Sequence, residues 1–386
     1  MDTKTSTPSR PKCKMMQDLS IDKEFSVEWT HRFRCTRNSL QNDGVVSQII
    51  SEAEPPKILV TIDAGLFQVN NDFVSNIKTW IDNCNTVCNE ALVVAGGEDA
   101  KNDDSVVALI LEAINTHGMC RKSVVLAIGG GAMLDAVGFA TSIAHRGLRF
   151  IRMPSTTLSA CDSGVGVKNG INRFHKKNFI GVFSPPWAVI NDYDLLDSLD
   201  DRHWRSGLSE VVKVALVKCP SFYEKVKTNA VALFNRDRDV MAEIVTDSAT
   251  LHLKHITDSG DPFERREARP LDFGHWAAHK LEQITSHELT HGEAVAIGLA
   301  IDLQCSVLLG LLNQTVADEA IALLQQIGLP TRHPLMNDPE LFDGLEEFRE
   351  HLGGELTLLL LSDVGKPVEV HELPKSLIQQ AIQKLG

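Results

Sequence analysis

A chain of 386 residues has room for two domains, because a single core stops growing beyond roughly 250 to 300 residues. Its formal net charge of −13 argues against binding the phosphate backbone of nucleic acid, which needs a basic face, so any anionic ligand must meet a local cluster of cations. The eight cysteines form no C-x-x-C pair, no apolar run approaches the roughly 18 residues of a membrane span, and no apolar h-region follows the charges of MDTKTSTPSRPKCK; the composition is that of a cytoplasmic protein with reduced thiols.

Residues 1–20 read as a disordered tail. From Pro56 to about Asn191, β-rich runs at 57–63, 91–95, 123–128, 150–153 and 188–191 alternate with helical patterns. This is the signature of a parallel, doubly wound sheet and predicts a Rossmann-like α/β domain over 21–191. Ligands of such sheets bind beyond the carboxyl ends of the strands, where Asp63, Gly96-Gly97-Glu98 and Gly129-Gly130-Gly131 fall. After Tyr193 the period changes to 3.6, with segments at 204–218, 238–258 and 292–312 and a late pair of strands at 356–361 and 368–370. A mainly α-helical domain over 192–386 follows, and the cleft between the halves is the expected active site.

The turn GGGAMLD lets backbone approach a pyrophosphate and opens a helix whose first N–H groups suit an anion. Its spacing is not G-x-G-x-x-G, so a ligand-free βα turn is the alternative. Asp135, Asp63 and Glu98 are placed to accept ribose hydroxyls. In PLDFGHWAAHKLEQITSHELTHGEAVAIG, His275 and His279 are four apart, as are His287 and His291, so each pair could share a helix face. Trp276 stands where an H-E-x-x-H peptidase needs its glutamate, which removes that reading. Imidazoles with one carboxylate suit a catalytic zinc; ordinary interior histidines are the other possibility.

In GLSEVVKVALVK, Glu210 and Lys213 interrupt an apolar helix, so they either pair with each other or face a polar cleft. The loop-rich stretch DSGVGVKNGINRFHKKNFIG crowds Asp162, Lys168, Lys176, Lys177 and Asn178 together, with Arg146 shortly before it. In so acidic a chain this is either a phosphate clamp or a solvated loop.

The blocks GGGAMLD, P-S-T-T-L, D-S-G-V-G-V-K-N-G-I-N, K-N-F-I-G, S-E-V-V-K, F-G-H-x-x-x-H and H-G-E-A-V-A-I-G, in this order, resemble the dehydroquinate-synthase-like sugar phosphate cyclases from about Lys57 to Pro367. The resemblance implies a homodimer holding NAD and a divalent metal, zinc or cobalt. It makes Glu210, His275 and His291 the metal ligands and puts Asp162, Lys213 and Lys254 around the substrate ring. His279 would lie near the departing phosphate, and Arg146, Lys168 and Asn178 would contact it. Asp63, Glu98, Lys101, Gly130, Gly131, Asp135, Ser155, Thr156 and Lys177 would line NAD.

Dehydroquinate synthases carry an arginine and an asparagine just before the first metal histidine; here stand Ala268 and Asp272. Losing the guanidinium removes the bidentate partner of a substrate carboxylate, and an aspartate repels one, although Arg269 is adjacent. Asp272 together with His351 resembles the 2-epi-5-epi-valiolone synthases, and these two residues would set which hydroxyls are accepted. Those enzymes cyclise sedoheptulose 7-phosphate through transient oxidation by NAD, β-elimination of phosphate, re-reduction and aldol closure. Other branches, 3-dehydroquinate synthase and 2-epi-valiolone or desmethyl-4-deoxygadusol synthase, are alternatives, as is a metal-dependent polyol dehydrogenase. A small sugar phosphate is the expected partner, with neither nucleic acid nor membrane.

Overall fold

The apolar run ahead of the glycine turn becomes a central strand, buried along its whole length. The computed structural model describes residues 20–41, 43–84, 86–87, 91–174, 176–258, 262–263, 270–351, 354 and 356–386. The strands in chain order are β1 (Arg32–Thr36), β2 (Ile58–Asp63), β3 (Leu92–Val94), β4 (Val124–Gly129), β5 (Arg149–Pro154), β6 (Lys168–Arg173), β7 (Lys176–Phe183), β8 (Ala188–Asp192), β9 (Leu358–Asp363) and β10 (Lys366–Val370). Six of them form one sheet in the order β1-β8-β5-β4-β2-β3, with every pairing parallel. Alternate residues enter opposite cores: Ile58, Val60, Ile62, Leu126 and Ile128 on one face, Leu59, Val125 and Ala127 on the other. A parallel strand covered on both faces has no polar side, which explains the unbroken apolar runs.

Two parts of the sheet region depart from expectation. RFRCT, not anticipated as a strand, forms the edge strand β1 beside β8. The stretch read as loop-rich is largely an antiparallel hairpin, β6 with β7, and its Ile171, Ile180 and Val182 join the core packed on the helix Gly131–Ile143. Lysines and asparagines lie both between and in phase with those residues, Asn169 being buried beside Ile171, and so mask the period of two. The predicted tail, apart from Ser20, lies outside the described residues, and residues 20–30 have no regular secondary structure.

The helices that matter for the site are α1 (Ala64–Val69), α2 (Gly131–Ile143), α3 (Asp201–Ser206), α4 (Leu208–Lys218), α5 (Arg238–Asp258), α6 (His275–Ile284) and α7 (His291–Leu308). The helix expected over 204–218 is thus two, broken at Gly207. His287 lies between α6 and α7 with φ of 63°, so His287 and His291 do not share a helix face as the spacing suggested.

Residues 31–386 form one compact unit, in which sheet and helices are packed together. Helices α6 and α7 cross with backbone nearly touching backbone. A Cβ on Gly298 would stand 2.0 Å from the Gly274 carbonyl oxygen, and Gly274 itself has φ of 79°. Asp302 of α7 then accepts from Gly274 N and Trp276 Nε1, both at 2.8 Å. The start of α7 is set by a capping box: Thr290 N donates to Glu293 at 2.8 Å, and Glu293 N donates to Thr290 Oγ1 at 3.4 Å. Together these contacts place His275 and His291, each the first residue of its helix, opposite one another.

Candidate active site

Glu210 projects from α4 with no exposure to solvent, and neither carboxylate oxygen accepts an aligned hydrogen bond. What faces it instead is the Lys213 ammonium and two imidazole nitrogens, His275 Nε2 at 3.4 Å and His291 Nε2 at 3.6 Å. Metal–ligand bonds of about 2.1 Å in tetrahedral geometry separate neighbouring ligand atoms by about 3.4 Å, so these distances match the edges of a zinc-sized coordination shell.

The other ring nitrogens are already committed. His275 Nδ1 lies 3.1 Å from the Phe273 carbonyl and His291 Nδ1 lies 3.0 Å from Glu282 Oε2, so each ring donates there and turns its Nε2 atom toward Glu210. A second candidate group, His279, Glu282 and His291, shares one histidine with the first. It is the poorer cation site, because both Glu282 oxygens are already engaged, Oε1 by Lys177 Nζ at 2.6 Å and Oε2 by His291 Nδ1 at 3.0 Å, whereas Glu210 Oε1 faces only the two imidazoles.

The electrostatics follow from burial and close partners. Burial alone would raise the Glu210 carboxyl, but Lys213 and then His275 more than reverse this and hold it well below the ordinary range. Burial works against the Lys213 ammonium, yet Glu210 and Asp162 keep its pKa above the usual value. His291 is likewise opposed by burial, but Glu282 and Glu210 lift it to about 9. His279 has no such support. Burial, with His275 next, holds it well below the usual histidine range, so it is neutral at pH 7.

Asp162, just after β5, lies 2.7 Å from His252 Nδ1 of α5 and within the field of Lys213; Asp272 also acts on Lys213. The choice left open for Glu210 and Lys213 is therefore not exclusive: they contact each other and also face a polar cluster.

At the carboxyl ends of the strands the glycine turn meets a second network. Lys101 Nζ donates to Asp135 Oδ2 at 2.8 Å and to Asn178 Oδ1. Glu98 accepts from Asn172 Nδ2 at 2.6 Å and lies 3.6 Å from Lys177 Nζ, which reaches on to Glu282. A continuous chain, Glu98–Lys177–Glu282–His291–Glu210, thus joins the turn to the candidate metal site. Gly130 caps α2 without a side chain, and a Cβ on Gly131 would stand 2.5 Å from Ser163 Oγ. This bare helix start, flanked by Ser155 and Thr156, fits a pyrophosphate. Asp63 has one oxygen engaged as the cap of α1, accepting from Gly65 N at 2.8 Å, which leaves the other for a ribose hydroxyl.

Several assigned residues are not brought together. Arg146, exposed, precedes β5 at the amino end of the strands, about 17 Å of strand length from the Gly129–Pro154 end. Lys168 pairs with Phe183 at the open end of the hairpin, while Asn178 bonds Asn172 near its turn, about 13 Å along the ribbon. The three expected phosphate contacts are therefore dispersed within one chain. Lys254 is exposed and two residues beyond the buried His252, which turns it about 200° around α5, away from Asp162. Ala268, Arg269 and the side chain of His351 lie outside the described residues.

Sequence reasoning passed over Glu282, Asn172, His252 and Arg152. Glu282 was findable, since positions 275, 279 and 282 fall on one helix face. Arg152 was too, as a lone charge inside the run FIRMP. Nothing local marked Asn172 or His252, whose partners are 74 and 90 positions away.

Comparison with known proteins agrees with this architecture. Residues 91–206 match the 3-dehydroquinate synthase N-terminal family and residues 207–349 the C-terminal family. A 3-dehydroquinate synthase from Halorhodospira halophila is 35% identical over 265 residues, 68% of this chain and 74% of that protein. A 2-epi-valiolone synthase from Actinosynnema mirum is 32% identical over 299 residues, 76% of this chain and 77% of that protein. Among solved structures, a 2-epi-5-epi-valiolone synthase from Streptomyces hygroscopicus with NAD+ and Zn2+ bound superimposes with a TM-score of 0.86 at 25% identity, covering 94% of this chain and 99% of that one. The chain belongs to the dehydroquinate-synthase-like family of sugar phosphate cyclases.

Proposed function

We propose that this enzyme cyclises sedoheptulose 7-phosphate to 2-epi-5-epi-valiolone with release of phosphate. The observation that carries this choice within the family is Asp272, whose negative charge acts on Lys213 in the substrate cluster. A substrate carboxylate at that place would meet like charge without a fixed guanidinium beside it. The structural neighbour solved with NAD+ and Zn2+ supports the same branch. The second reading, 3-dehydroquinate synthesis, is supported by the 35% identical relative of that name. Incubating the protein with NAD, zinc and each sugar phosphate in turn, with products identified by NMR, decides between them; dehydroquinate as the main product overturns the first.

Glu210, His275 and His291 would hold zinc or cobalt, and the glycine turn with Glu98, Lys101 and Asp135 would hold NAD. When bound, the cation acidifies a substrate hydroxyl and the dinucleotide accepts and later returns one hydride, so net redox is zero. Asp162, Lys213 and Asp272 orient the ring hydroxyls through charged hydrogen bonds. Neutral His279 can take a proton or pass one to the departing phosphate, while Lys168 stabilises its charge. Ring opening and aldol closure then proceed with the substrate held by the same groups.

Arg146 cannot reach that phosphate in its own chain, so we place it in the site of a second copy and read the enzyme as a homodimer. We also read it as a cytoplasmic enzyme supplying a cyclitol for secondary metabolism; separately, no helix among the described residues is long and apolar enough to cross a membrane.

A further inference from the structure

Arg152 of β5 has no exposure to solvent and, among the described residues, no carboxylate in ion-pair contact. Its guanidinium is instead wrapped by one short stretch of chain. Nη1 donates to the carbonyls of Ser163, Gly164 and Gly166 at 3.0, 3.3 and 3.1 Å, and Nη2 to the Lys168 carbonyl at 2.8 Å and Asn169 Oδ1 at 2.6 Å. On the same stretch, His31 Nε2 donates to the Val165 carbonyl at 2.9 Å. A buried cation without a counter-ion is costly unless it is hydrogen-bonded, and five acceptors from seven consecutive residues engage both terminal nitrogens, leaving Nε without a partner among the described residues. The bonds run both ways: these carbonyls would otherwise lack partners, so the stretch takes the shape that the planar fork dictates.

We infer that Arg152 is a positioning residue for substrate binding, holding residues 163–169 so that Asp162 at one end and Lys168 within it face the sugar phosphate. This rests on the proposed function for the identity of the ligand, but not for the geometry. An ammonium at this place supplies three donors without the fork, so Arg152→Lys keeps the charge and loses the template.

The test uses the full chain loaded with NAD and zinc. Amide hydrogen exchange over 163–169 and calorimetric binding of inorganic phosphate are measured for the wild type, Arg152→Lys, Lys168→Ala and the double variant. Exchange in that stretch should rise about tenfold in Arg152→Lys, with NAD affinity unchanged within twofold. Phosphate affinity should fall about tenfold in each single variant, and the double variant should be no weaker than the worse single one. His31→Ala, at a partly buried position, should show the same pattern more weakly and serves if Arg152→Lys does not fold. Unchanged exchange, or additive losses in the double variant, overturns the inference. If exchange rises but sedoheptulose 7-phosphate is not a substrate, the positioning role stands and the proposed function fails.

Discussion

Lys177 Nζ lies 2.6 Å from Glu282 Oε1, and the other oxygen of that carboxylate lies 3.0 Å from His291 Nδ1. One glutamate therefore orients a candidate metal ligand on one side and holds a lysine of the glycine-turn network on the other. Carboxylate partners of ligating histidines contribute about 10- to 100-fold in metal affinity, so Glu282→Gln should weaken zinc binding by that amount in a chelator competition. NAD affinity should fall as well, because Lys177 is released from its place beside Glu98. Wild-type affinity for both would show the chain of contacts to be inert.

Asp272 should act on choice of substrate more than on turnover. Asp272→Asn removes the like charge that a substrate carboxylate would meet, and should shift relative kcat/KM toward the carboxylated dehydroquinate precursor by about tenfold. An unchanged ratio in parallel assays on the two sugar phosphates removes Asp272 from the specificity pocket.

Arg146 and Glu210 should complement across chains. Arg146→Ala and Glu210→Ala should each be nearly inactive alone. Mixed after dissociation, they should recover activity, since one of the two sites in a hybrid dimer has Glu210 from one chain and Arg146 from the other. No recovery from a verified hybrid would return Arg146 to a surface role.

Burial lifts Asp302 to about 7, despite the N–H groups of Trp276 and Gly274 that favour its charged form. A carboxyl raised in the folded state binds its proton more tightly there than when unfolded, so its contribution to stability is full near pH 4 and is lost as pH rises toward 7. The loss has a slope of at most about 1.4 kcal/mol per pH unit. The stability advantage of wild type over Asp302→Asn in urea melts should therefore shrink between pH 5 and pH 7. A constant difference would mean that Asp302 does not titrate in this range.

The crossing of α6 and α7 leaves no room at Gly298. Gly298→Ala should lower stability by about 2 kcal/mol or more, because the new methyl meets the Gly274 carbonyl rather than a side chain that can move. His275 begins at the next residue, so zinc affinity should drop with it; a wild-type urea midpoint would contradict the close crossing.

The sheet was legible because β2 and β4 are buried on both faces and therefore carry unbroken apolar runs. Helix α5 was legible end to end, and the spacing of His275 and His279 placed both on α6. The hairpin was not, since lysines and asparagines stand on both of its faces, with Asn169 and Asn172 buried, and made it look like a loop. The metal-site residues could be nominated from local motifs and family resemblance, because residue type and helical spacing are local properties. Their convergence could not be read that way. Glu210 meets His291 across 81 positions only because Gly274 and Gly298 let two helices touch, and Arg146 lies far from its expected partners because α2 carries the chain back across the sheet before β5 begins. Local sequence determines which groups are available and on which face of an element they stand. Packing of the elements determines which groups share one volume, because it depends on contacts between residues far apart in the chain.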